Sequence, residues 1–195
     1  SLWFAMQRVD TFVLTALTGP TGVAFYDVAS RLPQGIIRLS EAYYAVYHPS
    51  LTTHFARHER AAASLLIEQS LRVFGFGLLM LTWGAILFGQ DLIVLLFKEQ
   101  YAGAAPAFAI MLLGLSLATS INLMGYALTA SGHPANSFAV NLLRSAASFG
   151  GDFLLIPLMG FIGAAYATLG AQLVAAPLAW WYLRRQRLPA HGSVH

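Results

Sequence analysis

Three stretches of this chain, residues 73–90, 100–143 and 153–183, contain no Asp, Glu, Lys or Arg. An α-helix needs about 20 mainly apolar residues to cross the hydrocarbon core of a bilayer. Uncharged runs of this kind have no place on a soluble surface, which needs charge to stay in solution. Composition agrees: 57% of residues are hydrophobic and only 10% charged, where a soluble domain carries about 25% charged residues. The expected fold is all-α: a polytopic membrane protein built as a bundle of about six transmembrane helices.

Several functions are excluded at once. With no cysteine, the chain has no disulfide framework, thiolate metal site or cysteine nucleophile. The net charge of +3 would suggest nucleic acid in a soluble protein. Here the basic residues gather at segment ends, as the cytoplasmic bias of membrane proteins requires, so no nucleic-acid partner is expected. The opening Ser1-Leu2-Trp3-Phe4 lacks the basic start of a signal peptide, and the chain reads as a fragment of a longer protein.

Gly and Pro divide the spans where charge does not. The first runs from Leu2 to Leu17 and stops at Thr18-Gly19-Pro20; the second runs from Gly22 to Tyr47 and stops at His48-Pro49. A polar stretch, Thr52 to Gln69, leads to a third span over Leu71 to Phe88, with Leu92 to Phe97 as its continuation past Asp91. The fourth is Ala105 to Ala130 and the fifth Asn136 to Ile156, ended by Pro157. Gly160 and Gly163 open the sixth, which closes at Trp180-Trp181-Tyr182-Leu183, an interfacial aromatic belt.

The second span carries charge. On a helix turning about 100° per residue, and taking Asp27 as zero, Arg31 lies at about +40°, Gln34 at −20°, Arg38 at +20° and Glu41 at −40°. Five polar residues thus form one stripe, while Phe25, Leu32, Ile36, Leu39 and Tyr43 point elsewhere. A charge facing lipid costs several kcal/mol, so the stripe must face protein or water. Two readings stay open. Asp27 with Arg31 and Arg38 with Glu41 have spacings that allow internal pairing, or the stripe lines a pathway. The fifth span repeats the pattern with Ser137, Asn141, Arg144, Ser145, Ser148 and Asp152 on one face; helix–helix adhesion explains the serines better than it explains Arg144 and Asp152. In the first span Arg8, Thr11 and Thr15 share a face. His54 and His58 have a metal-compatible spacing, but a solvated loop is the simpler reading and no metal site is expected. Gly163, Ala167, Gly170 and Ala171 read as close helix packing. No motif of covalent catalysis is present, so the chain is not expected to be an enzyme.

Three segments carry a family resemblance. Tyr26-Asp27-Val28-Ala29-Ser30-Arg31-Leu32 resembles the "Y-x-x-A-x-R-L" stretch of bacterial polysaccharide-unit flippases. Leu95-Leu96-Phe97-Lys98-Glu99-Gln100-Tyr101 resembles their "L-L-F-G-x-x-Y" turn, with Lys98 in place of the usual Gly. Residues 152–168, from Asp152 through Pro157, Gly160 and Gly163 to Thr168, resemble their "N-x-L-L-I-P-x-x-G-x-x-G-A-A-x-A-T", with Asp152 where Asn is common. The resemblance implies the multidrug/oligosaccharidyl-lipid/polysaccharide exporter superfamily, whose members have two six-helix lobes around a central cavity. Residues 1–183 would be the C-terminal lobe and 184–195 a cytoplasmic tail. The implied function is translocation of undecaprenyl diphosphate-linked oligosaccharide across the bacterial inner membrane by alternating access, for polysaccharide biosynthesis.

On this reading Arg38, near the middle of its span, is the first choice for the diphosphate, followed by Arg31 and Arg144, with Arg8, Gln34 and Asn141 completing the substrate set. Asp152, Asp27 and Glu41 are the candidates for ion coupling. No cofactor is expected, the drive being a proton or sodium gradient. The lipid bilayer and the lipid-linked oligosaccharide are the partners, and the protein is expected to act as a monomer beside a polysaccharide polymerase. A cation-coupled drug exporter of the same superfamily is the alternative, though it would favour a carboxylate-dominated cavity. A membrane glycan polymerase would need a long external loop bearing catalytic residues.

Alternating the spans puts Arg57, Arg60, Arg72, Arg184, Arg185 and Arg187 on one side, and Lys98 with Asp91 and Glu99 on the other. The first side is expected to be cytoplasmic. Because the chain has no cysteine, single substitutions test this directly. Arg57→Cys should resist a membrane-impermeant thiol reagent in intact cells and Gln100→Cys should react; the opposite pattern inverts the topology.

Overall fold

The computed structural model describes the backbone of residues 9–186 and the side chains of residues 23–185. Among these residues the protein is five α-helices with no strand: α1 (Val9–Ala56), α2 (Arg60–Phe97), α3 (Ala105–Ala130), α4 (Pro134–Met159) and α5 (Phe161–Gln186), with a 3-10 turn, Glu99–Ala104, between α2 and α3. Four helical segments are long and apolar enough to cross a membrane: α2, Glu99–Ala130, α4 and Phe161–Arg185. The chain is therefore an all-α, multi-pass membrane protein.

Two expected boundaries dissolve. Thr18-Gly19-Pro20 does not stop the first span; α1 continues through it, and through Pro33 and Pro49, for 48 residues. The expected polar loop from Thr52 to Gln69 is helical on both sides of a turn at residues 57–59. At Thr18-Gly19-Pro20 the reason is that leaving a helix in an apolar setting strands backbone N–H and C=O groups, so Gly and Pro are tolerated inside membrane helices. The polar stretch instead forms two exposed helix ends, joined by a turn in which the Glu59 N–H donates to the His54 carbonyl at 2.9 Å. Hydroxyls add local bonds along α1, Ser40 donating to the Ile36 carbonyl, Ser50 to that of Val46 and Thr53 to that of Pro49. Similarly α4 runs past Pro157 to Met159. The limits of α3 fall where the sequence puts them, at Ala105 and Ala130.

The helix α3 is the hub, touching every other helix. One core cluster joins Tyr44, Tyr47 and Leu51 of α1 to Ile121, Leu123 and Leu128 of α3 and Ala175, Ala179 and Leu183 of α5. A second joins Val28 and Ala29 of α1 to Phe108, Leu112 and Leu115 of α3. The two clusters set α1 parallel to α3. Interhelical hydrogen bonds reinforce them: the Tyr47 hydroxyl donates to the Leu123 carbonyl at 3.4 Å, and Tyr43 and Ser70 share a bond of 2.7 Å.

The helices α4 and α5 pack most extensively, on small residues. Gly163 lies against the backbone carbonyl of Leu155, and Gly151 against Ala167. Ala167 and Ala171 are buried, as close packing requires, whereas Gly170 faces open space. At the end of α5, Arg184 and Arg185 lie over the rings of Trp180 and Trp181, at 4.9 and 4.6 Å.

At the α2 exit, Lys98 adopts φ 81°, ψ 162°, a region that glycine occupies freely and other residues at a cost of about 1–3 kcal/mol. This accounts for a glycine at that place in the motif the segment resembles. Lys98→Gly should therefore raise stability by about 1–3 kcal/mol in a detergent unfolding assay. In the same assay Gly163→Ala should lower it by about 1–3 kcal/mol, since no flexible side chain can yield there, while Gly170→Ala should not.

Candidate functional site

The charged stripe of α1 is on the outside of the bundle. Val28, Ala29, Pro33, Ser40, Tyr44, Tyr47 and Leu51 face inward. Their mean direction lies more than 90° around the helix from the stripe. Asp27, Arg31, Gln34, Arg38 and Glu41 are all exposed, and Ala45 continues the same face. Of the apolar residues expected to point away, Phe25, Leu32, Ile36 and Tyr43 pack on the core, but Leu39 is 70% exposed.

The internal pairs do not form. Among the described residues the ion pairs are His54 with Glu59 and Arg72 with Glu68, and none joins Asp27 to Arg31 or Arg38 to Glu41. Arg31 instead lies 5.9 Å from the centre of the Phe97 ring. Gln34 donates to the Ser30 hydroxyl at 2.9 Å. His54 is thus occupied by Glu59 across the turn, where His58 has φ 59°.

Arg144 has partners that the sequence pattern did not reveal. It donates to Oδ1 of Asn122 on α3 at 3.0 Å and to Oδ1 of Asn141 at 2.8 Å. Asn141 in turn donates to the Ser137 carbonyl at 3.0 Å. Asn122 was overlooked because a lone amide in an apolar helix has no periodic companions; an isolated polar residue facing a charged helix was its only signal. Tyr44 lies beside both Asn122 and Arg144. The guanidinium is therefore fixed between α3 and α4 beside α1, with Ser145 exposed one residue further on.

Asp152 shares the face of Arg144 in sequence but not its exposure: it is 1% exposed. Towards this end Val23 and Tyr26 of α1 pack on a small cluster of Ile156 from α4 and Ala164 from α5, whereas Asn141 and Ser145 stay exposed. The structure brings Arg144 and Asn141 together and holds Arg31, Gln34 and Arg38 on one neighbouring face. Arg8 lies outside the described residues, as do the side chains of Thr11 and Thr15.

Beyond Glu41 the groove between α1 and α3 opens into a recess of about 360 Å³ lined by Glu41, Tyr44, Ala45, His48, Pro49 and Tyr126. Together these features make a surface of cations, amides and carboxylates along one side of a membrane bundle, of a kind that can bind a polar, anionic group.

Asn122→Ala removes an acceptor from Arg144. It should cost about 0.5–2 kcal/mol in thermal unfolding, in the range of interhelical bonds in membranes, and Asn122→Asp should restore stability.

Comparison with known proteins gives the surface a context. The family model described as the lipid II flippase MurJ matches residues 2–193. The uncharacterized membrane protein MJ1068 of Methanocaldococcus jannaschii is 31% identical over 184 residues, which is 91% of this chain and 35% of that protein. The chain thus spans about a third of the length of that curated relative. No solved structure matches. The family falls within the exporter superfamily that the sequence motifs resemble. Matched over nearly its whole length, this multi-pass chain belongs to the lipid II flippase MurJ family.

Proposed function

We propose that this chain is one lobe of a flippase that carries a polyprenyl diphosphate-linked glycan across a membrane by alternating access. The observation that supports the reading best is the exposed stripe Asp27–Arg31–Gln34–Arg38–Glu41 on α1, a helix packed against the membrane-crossing bundle. Facing lipid, it would be strongly unfavourable; facing a second lobe across a water-filled cavity, it is not. The relative's greater length leaves room for such a lobe.

The chemistry suits the cargo. A diphosphate cannot cross hydrocarbon with its hydration shell stripped and nothing in its place. Arg31, Arg38 and Arg144 replace that shell by charge-assisted, two-pronged bonds. Arg144 is pre-oriented by Asn122 and Asn141, which lowers the ordering cost of binding. Gln34 and Asn141 offer neutral hydrogen bonds to sugars, and Arg8 joins the same set. The apolar tail stays in lipid while the head passes through the cavity. Rocking of two lobes about the head group needs no covalent step and no cofactor. Asp27, Glu41 and the buried Asp152 are the carboxylates through which a proton or sodium gradient would drive it.

Family membership favours lipid II as the cargo, and the motifs of residues 26–32 and 152–168 favour an oligosaccharide repeat unit; both present the same diphosphate to the arginines. In that case the basic ends near Arg57 and Arg184 lie in the cytoplasm of a bacterial cell, where the lipid-linked glycan is made. The protein works as a monomer, with a polysaccharide polymerase receiving the repeat unit if that is the cargo.

Because Arg38 does not pair with Glu41, removing it strands no buried partner, and a single substitution is informative. Arg38→Ala in the full-length protein should reduce translocation about 10–100-fold, the loss expected for one charge-assisted contact, with unchanged expression. Arg38→Lys should retain part of the activity, since it keeps the charge and loses the planar fork. Vesicles loaded with fluorescent lipid II or with a labelled repeat unit distinguish the cargoes. Full activity of Arg38→Ala on both would remove the diphosphate assignment.

A further inference from the structure

We propose that the recess at the end of the stripe is a binding site for a cationic ammonium group. It deepens the flippase reading, and rests on it for the identity of the cargo: the polar head would carry an amine as well as a diphosphate.

The recess is built from three kinds of group that together select a compact cation. Two tyrosine rings, Tyr44 and Tyr126, sit 5.1 Å apart at an interplanar angle of 45°, and His48 lies 5.5 Å from Tyr126. Aromatic faces attract ammonium groups, Tyr more strongly than aliphatic walls of equal area, because the ring quadrupole is negative at its face. Glu41 supplies a full negative charge at the rim. Among the described residues no cation lies within ion-pair distance of that carboxylate, although Arg38 is three positions earlier on the same stripe. The recess is shallow and open to the outside, so a small substituted ammonium can reach Glu41 and Tyr126 without rearrangement of the bundle.

The scaffold is stiff where the site needs it. Tyr44 is 7% exposed, its hydroxyl directed at the Thr119 carbonyl at 3.5 Å, so its ring is held by the packing of α1 on α3. Tyr126 is half-buried on the same side of α3. An anion would meet Glu41 and be repelled, and an uncharged sugar would gain nothing from the carboxylate. The alternation along α1 then acquires a meaning. Arg31 and Arg38 face the diphosphate, and Glu41 with Tyr126, whose ring is backed by the buried Tyr44, faces an amine about 15 Å of helix rise beyond Arg31. The surface is complementary to a zwitterionic head rather than to a simple anion.

Choline and its uncharged isostere 3,3-dimethylbutanol test the site without any lipid-linked substrate. Saturation-transfer NMR on the purified protein in dodecyl maltoside should show saturable binding of choline and at least about tenfold weaker binding of the isostere. Glu41→Gln and Tyr126→Leu should each weaken choline about fivefold or more. Tyr126→Phe keeps the ring and should bind as the wild type does. Glu99→Gln, an exposed carboxylate elsewhere, should change nothing. Equal binding of choline and its isostere would show an apolar dent and overturn the proposal, as would choline binding that survives Glu41→Gln. The two readings fail separately. Choline binding without glycolipid translocation by the full-length protein leaves the site and removes the flippase; translocation without choline binding does the reverse.

Discussion

Tyr44, Tyr47 and Leu51 are held inside the bundle, and the direction of everything else on α1 follows from that. A helix has one angular register, so burying one face against α3 points the opposite face outward from Asp27 to Ala45. The tyrosines secure the register twice, by apolar area and by hydroxyls that find carbonyls on α3. The stripe from Asp27 to Glu41 is exposed by this constraint, without any interaction of its own. Its charges remain unpaired with each other because two neighbouring charges on a helix gain little by closing together when they are open to water. They are kept available.

The opposite strategy operates at Arg144. There the guanidinium is partly withdrawn into the bundle and its donors are met by Asn122 and Asn141, two neutral amides. Neutral partners orient the cation without cancelling its charge. A carboxylate in the same place would have made a closed pair, of structural use only. The surface therefore combines free charges on α1 with an aimed charge on α4, the combination that the proposed flippase would need to accept a polar head and release it.

The sequence made some of this legible for definite reasons. Charge-free runs are a direct statement about solvent, so the membrane class could be read from them; the end of α3 could be read from the punctuation Ser131-Gly132-His133-Pro134. The periodicity of Asp27, Arg31, Gln34, Arg38 and Glu41 is a statement about one helix and also survived. The stop at Thr18-Gly19-Pro20 did not, because Gly and Pro break helices by exposing backbone to a competing solvent, and here there is none to compete. The pairing of Arg144 with Asn122 joins α4 to α3, and no local pattern encodes the register between two helices. The burial of Asp152 was hidden for the same reason: its own helix gives it the face of Arg144, and burial comes from the packing of other helices, which that face does not encode. The recess around Tyr44 and Tyr126 likewise exists only once α1 and α3 are side by side.

The helix α4 has a consequence beyond binding. Its grip on the bundle comes mainly from the small-residue seam with α5, and only Val140, Asp152 and Ile156 are buried on it. The remaining circumference is split between lipid and the open polar face, two media that judge a side chain by polarity and hardly at all by volume. Substitutions there that keep polarity but alter size leave folding untouched. Single changes of size on α4 are therefore each viable on their own, whereas α3, which touches every other helix, cannot drift without compensating changes elsewhere.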